Sequence, residues 1–185
     1  EHQLREAEEQ LPLERHPEAA CNALRAIEAS VSRAAAGGLQ VAFVLDGDID
    51  RVRVPSPRPA RVAEGLWRHT CCEIFIARPG APGYREFNLS PSGEWAEYDF
   101  TRYREGRVLD DPSLSPGIVV RTGASALQLS ASIAVSHAQA LLIGLAAVIE
   151  EKSGALSYWA LRHAPGKPDF HHPDAFALTL AKAGR

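Results

Sequence analysis

The stretch Leu66 to Phe100 reads LWRHTCCEIFIARPGAPGYREFNLSPSGEWAEYDF, and three short runs within it, Cys71 to Ala77, Tyr84 to Ser90 and Glu94 to Phe100, decide the fold. They are separated by the turn clusters RPGAPG and SPSG, whose Gly, Pro and Ser content marks chain reversals. Each run is too short for a stable helix and alternates at period two, as a half-buried strand does. In CCEIFIA the alternation places Cys72, Ile74 and Ile76 on one face and Cys71, Glu73 and Phe75 on the other. In YREFNLS it separates Arg85, Phe87 and Leu89 from Glu86 and Asn88, and in EWAEYDF it separates Ala96, Tyr98 and Phe100 from Trp95, Glu97 and Asp99. The aliphatic set is core. The opposite face is expected to carry Glu73, Phe75, Glu86, Asn88 and Trp95.

Outward from this region the same grammar recurs. LQVAFVL, IDRVRV, GIVVRTG, ALQLSASIAV, LLIGLAAVIEE, ALSYWALRH and AFALTLA are each short and mostly divided by clusters such as DGD, PSPRP, DDPSLSPG and APGKPD. Such a series of short strands predicts an all-β sandwich of two antiparallel sheets, immunoglobulin-like or jelly-roll-like. One segment breaks the pattern. Pro17 to Ala36 places Ala20, Leu24, Ile27 and Val31 at helical spacing before Gly37 and Gly38, which predicts a short N-terminal helical segment, an amphipathic helix or an irregular turn-rich equivalent. Residues 1–10 are charged and lack an apolar stripe, so they are expected to be a disordered or loosely attached terminus, and 11–185 one sandwich domain.

Composition narrows the function classes. The 185 residues are 45% hydrophobic and 23% charged, with a formal net charge of −3, so the basic footprint of a nucleic-acid binder is missing. The most apolar run, around Ala138 to Ile149, is shorter than a membrane helix needs and meets Glu150, Glu151 and Lys152, so no membrane partner is expected. Three cysteines, two of them adjacent, make no disulfide framework and suit a reducing compartment, hence a cytoplasmic expectation.

A sheet face that mixes aromatic rings with carboxylates and an amide suits a ligand with both hydroxyls and apolar ring faces. Aromatics stack on C–H surfaces, while the polar groups exchange hydrogen bonds with hydroxyls. A covered face, with the carboxylates paired to Arg85, Arg102 or Arg104, is the ordinary alternative for any one of these residues. The SPSG turn accounts for Ser90 and Ser92 structurally, and no GxSxG elbow makes either a nucleophile. Glu73 and Glu86 would serve as a glycosidase acid and base only at a suitable separation, which alternation does not set; no catalytic residue is assigned. Asp46, Asp48 and Asp50 begin like a calcium loop but lack its Gly and distal Glu, so a solvated turn is the better account. Histidines 171 and 172 are adjacent and diverge on extended chain, and no HxH, HExxH or CxxC spacing supports a closed metal site. The segment from Arg162 to Phe176 is expected to loop over the end of the sandwich and turn Asp169, His171 and Arg162 toward a ligand.

The blocks LWRHTCCEIFIA, YREFNLSPSGEWAEYDFTRYREG, SYWALRH and PDFHHPDAFALTL, in this order, resemble the bacterial DOMON-like proteins grouped with the carbohydrate-binding module family 9 domains. The resemblance runs from about Leu11 to Leu180. It implies a two-sheet β-sandwich with a ligand face that holds a sugar or, in some DOMON domains, a haem. Glu73, Glu86 and Asn88 occupy positions similar to the polar residues of the sugar-binding modules, and Cys72 stands where relatives carry an aromatic. The expectation is a non-catalytic module for a carbohydrate or similar polyhydroxylated small molecule. Trp67, Trp95 and Trp159 are the candidate stacking platforms, and His69, Glu73, Glu86, Asn88 and Arg104 the candidate polar contacts. No cofactor is expected; a haem or redox module around His69 or His163, without a Met to serve as axial ligand, is the alternative. A protein-interaction domain is the third reading.

Overall fold

The structure is a computed structural model that describes residues 9–136 and 138–184. Residues 1–8 of the expected loose terminus lie outside them. The strands are β1 Leu11–Pro12, β2 Glu14–Arg15, β3 Leu24–Arg33, β4 Leu39–Gly47, β5 Cys71–Ala77, β6 Tyr84–Leu89 and β7 Trp95–Arg102. They continue as β8 Glu105–Leu109, β9 Val119–Thr122, β10 Ala126–Ile133, β11 Leu141–Glu150, β12 Leu156–Ala160 and β13 Leu178–Leu180. One sheet has the order β1-β3-β4-β10-β9; the other runs β2-β12-β11-β5-β6-β7-β8, with β13 also on β11. All of these strand pairings are antiparallel. The expected sandwich is therefore the observed architecture. Among the described residues no helix is long and apolar enough to cross a membrane.

The N-terminal helical segment is corrected to strand β3. Its pairing with β4 shifts register between Leu24 and Ala26. That bulge adds a residue, so Leu24 and Ile27 both turn inward although they are an odd number of positions apart. The resulting spacing imitates one turn of helix. Beyond the bulge Ile27 and Ala29 alternate inward with period two. Hydrogen bonding to a full-length neighbour, β4, overrides a weak local preference.

The core lies between the sheets. Ile27, Phe43, Leu45, Leu127 and Leu129 from the first sheet meet Cys72, Ile74, Phe87, Leu145 and Trp159 from the second in one buried cluster. Cys72 thus points into the core and not onto a ligand face. The first sheet is half-solvated, as the alternation along β4 and β10 shows. The second is not: β11 is buried at nearly every position, so both of its faces are covered.

The cover follows from the way β11 pairs. One edge of β11 is taken by β5 along Leu142 to Val148. The other edge must hold both β12, opposite Ala146 to Glu150, and β13, opposite Leu141 to Ile143. Between them, at Gly144 and Leu145, the chain leaves the sheet after Ala160 and returns at Leu178. Residues 161–177 therefore emerge from the middle of a sheet edge and lie across its outer face. Gly144 lets them come close, since a Cβ there would stand 3.2 Å from the Ala175 carbonyl oxygen and 3.4 Å from Phe75 Cβ.

Candidate functional site

Register assembles the outer face in rows. Ala160, Ala146, Glu73, Asn88 and Ala96 form one row across β12, β11, β5, β6 and β7. Directly opposed residues share a face, so this row is two polar side chains flanked by alanines. The neighbouring row holds Phe75, Glu86 and Tyr98, and the next Ala77, Tyr84 and Phe100. On the other side Tyr158 stands opposite Val148, which stands opposite Cys71. The alanines leave a low floor between taller rings. The loop fills part of it: Phe170 packs against Phe75 and Tyr158 at ring-centroid distances of 6.4 and 6.3 Å, and Phe176 against Phe75 and Tyr84 at 5.8 and 5.4 Å.

What the loop leaves is a cavity of about 380 Å³, lined by Trp67, Glu73, Glu86, Tyr98, Phe100, Arg104, Val148, Tyr158, Pro168, Phe170 and His171. That volume is within the range of small-molecule sites. Trp67 comes from the 3-10 turn Leu66–Arg68 and stands 49% exposed at the rim.

Glu73, Glu86 and Asn88 are buried at 2%, 5% and 0% exposure. Turned with its nitrogen toward the acids, the Asn88 amide donates to Glu73 Oε1 and to Glu86 Oε1, each at 3.0 Å. Glu73 Oε2 is buried and has no hydrogen-bond partner among the described residues. Burial, the neighbouring Glu86 charge and a hydrogen bond to Glu86 push the Glu73 pKa well above the usual carboxylate range. Burial lifts Glu86 to about 7, against the opposing effects of the bond from Glu73 and the charge of Arg104. The pair holds a shared proton, because two adjacent buried carboxylates cannot both ionise cheaply.

A hydrogen-bond chain orients the loop's contribution. The Arg104 backbone N–H donates to Tyr84 Oη at 3.0 Å, and Tyr84 O–H in turn donates to His171 Nδ1 at 2.8 Å. That leaves the proton of the neutral ring on Nε2, which faces Glu86 Oε2 at 3.6 Å. Burial, and then the Arg104 charge, lowers the His171 pKa to about 4, so near neutral pH this contact is a weak polar approach and not an ion pair. Arg104 Nη2 is held by Asp169 Oδ1 at 2.8 Å, and Asp169 also accepts from Tyr103 Oη at 2.5 Å and from the His171 backbone N–H at 3.0 Å. Asp169 thereby ties the β7–β8 turn to the covering loop.

The structure brings Trp67, Glu73, Glu86 and Arg104 together at the cavity, with Asn88 beneath the acids. It places the other expected contacts elsewhere. Trp95 is corrected to the inner face: it pairs with Leu89, which points inward, with Ser90 to Glu94 forming the turn between them. Glu97 and Asp99 follow it, and Glu97 is held by the Arg85 guanidinium. Trp159 is corrected to the core, opposite the small Ala147, with its Nε1–H donating to Ser157 Oγ at 2.9 Å. The His69 Nδ1 lies 2.5 Å from Glu150 Oε2, a carboxyl that Arg53 also contacts at 2.8 Å, and His69 does not line the cavity. His163 Nε2 bonds the Glu14 carbonyl oxygen at 2.6 Å. Asp46 pairs with Arg25 at 2.6 Å. Among the described residues no group of three or more His, Cys, Asp or Glu could hold a metal ion. Of the loop residues expected to face a ligand, His171 lines the cavity, Asp169 supports it from behind, and Arg162 does neither.

The fold has a solved counterpart. A crystal structure of a candidate carbohydrate-binding protein from Bacteroides uniformis ATCC 8492 superposes with a TM-score of 0.61 at 14% identity, covering 91% of this chain and 84% of that one. The likeness shows the fold. No protein-family model and no curated protein matches the chain.

Tyr98, Phe100, Tyr158, Phe170 and Tyr84 were not singled out from sequence. Alternation did group Tyr98 with Phe100, but the polar look of Trp95, Glu97 and Asp99 drew that set to the wrong face. The pairing of Leu89 with Trp95 settles it, and pairing depends on turn geometry that alternation does not report. Tyr158 and Phe170 meet through the exit of the loop from the sheet edge, a tertiary event with no local signature.

Proposed function

We propose that the chain is a non-catalytic ligand-binding module of DOMON-like type, related to the carbohydrate-binding module family 9 domains, whose ligand is a carbohydrate or similarly polyhydroxylated small molecule. The observation that carries the reading is the composition of one cavity: the rings of Trp67, Tyr98, Phe100, Tyr158 and Phe170 surround the carboxyls of Glu73 and Glu86. Rings of this kind cover the C–H faces of a pyranose, and carboxyls accept hydrogen bonds from its hydroxyls. The fold shared with a candidate carbohydrate-binding protein agrees with it.

Paired acids also suggest hydrolysis, but a glycosidase keeps its two carboxyls about 5 Å or more apart so that sugar or water fits between. Glu73 and Glu86 are bonded to one amide and share a proton. That arrangement favours recognition over bond cleavage.

The test is isothermal calorimetry against neutral and amino monosaccharides and short oligosaccharides, beside a glycan array. Saturable binding is expected, weakened about three- to tenfold in Trp67→Ala, the scale of one aromatic contact. Blank titrations at millimolar ligand together with a blank array would remove the carbohydrate reading.

A further inference from the structure

We propose that the ligand carries a protonated amine, an amino sugar with a free amino group or a similar polyhydroxylated amine, seated with its nitrogen against Glu73 and Glu86 and inside the surrounding rings. This rests on the sugar-site reading above and specifies it.

Arg104 is the cation lining the cavity, and its guanidinium is already engaged by Asp169 at 2.8 Å. His171 is neutral near physiological pH. The acid pair is then the charge without a counterion. Among the described residues neither acid has an ion pair with Arg or Lys, and Glu73 Oε2 has no donor although Glu73 is 2% exposed. The groups facing the pair are Asn88 and Tyr84 on β6, Cys71 on β5, Tyr98 on β7, and Arg104 and His171 from the β7–β8 turn and the loop. Asn88 spends its two donors on Oε1 of each acid and cannot also serve Oε2.

Around this uncompensated pair stand aromatic walls. Tyr98 and Phe100 lie side by side with centroids 6.1 Å apart, and Tyr158 and Phe170 make a second pair at 6.3 Å. Ring faces attract a cation, and they do so most strongly where water is displaced. A neutral sugar would use the rings but leave the acids to share a proton in a dry site. An ammonium group donates to Glu73 Oε2 and Glu86 and removes the reason for that shared proton. The hydroxyls of the same ligand remain available to the rest of the lining. Amine binding near pH 7 should therefore release a proton from the pair to buffer, whereas neutral sugar binding should not.

The experiment titrates the full chain by calorimetry with glucose, galactose and mannose, each beside its 2-amino-2-deoxy and N-acetylated forms, in two buffers of different ionisation enthalpy. At least one free amino sugar is expected to bind about tenfold or more tightly than its neutral counterparts, on the scale of a desolvated cation–aromatic contact. Its apparent enthalpy should differ between buffers by the released proton. Replacing both acids, Glu73→Gln with Glu86→Gln, which keeps the shape and removes the charge of the pair, should lower that preference toward unity while circular dichroism stays that of the parent. Neutral sugars that all bind as tightly as their amines overturn the inference and leave the sugar-site reading standing. No binding by any of the nine sugars overturns the inference, and a blank glycan array beside it would remove the sugar-site reading as well.

Discussion

Glu73 and Glu86 are the residues whose chemistry is least like that of a free carboxylate, and their environment makes a pH prediction. Glu86 has a pKa of about 7 in the folded chain against an ordinary 4.5. The folded state therefore holds a proton that the unfolded chain gives up. This favours folding below pH 4.5, and the benefit is lost as pH rises through about 7. His171 works in the opposite sense. Its pKa falls from 6.5 to about 4, so its contribution is present above pH 6.5 and is lost as pH falls through about 4. The two effects overlap in one window and partly cancel in the parent protein. Glu86→Gln separates them: its stability relative to the parent should rise steadily from pH 4.5 to above pH 7, measured by urea denaturation at each pH. A flat difference would mean that the pair is solvated and ionised in the folded protein. Asn88→Leu should cost about 2–4 kcal/mol under the same assay, because it strands both Oε1 atoms.

At the scale of elements, residues 161–177 decide whether the second sheet has a site. They cross its outer face because β12 and β13 share one edge of β11, and Gly144 lets the returning chain settle on the sheet. Asp169 fastens them to the β7–β8 turn, where Arg104 adopts φ of +55°, a left-handed backbone that a side chain tolerates at some cost. Asp169→Ala removes three hydrogen bonds, from Tyr103, Arg104 and the His171 backbone. The pairs are partly exposed, so a global loss of only about 1 kcal/mol is expected. The local effect should be larger: amide exchange in the segment around Phe170 to Phe176 should accelerate while β4 and β10 stay protected. How far the sequence spoke differs by element. The strands β5, β6 and β7 were legible from alternation, including the face that carries Glu73, Glu86 and Asn88. β3 was not, because its bulge puts Leu24 and Ile27 on one face at helical spacing. The inward turn of Trp95 and Trp159 was hidden for a related reason: a strand's own pattern names two sets, and only the partner, Leu89 or Ala147, says which set is inside.

At the scale of the whole molecule, two sheets of unequal exposure divide the work. The first has one solvated polar face and closes the core from one side. The second is covered on both faces, by the first sheet within and by the loop without, and the outer cover leaves a cavity over Glu73, Glu86, Tyr98 and Tyr158. The sandwich itself was legible because short strands and turn clusters alternate along nearly the entire chain. The cavity was not, since it arises where a loop lies over a sheet, and neither partner records the other in its sequence. The central claim is that this cavity takes a polyhydroxylated ligand. It is tested most directly by a protein-observed NMR titration with the monosaccharide panel. Saturable shifts are predicted at the Trp67 indole N–H, at the amides of Glu73, Glu86 and Tyr98, and along Pro168 to His171, with little change on β4 and β10. Saturable shifts confined to the first sheet, or none at millimolar ligand, would contradict it.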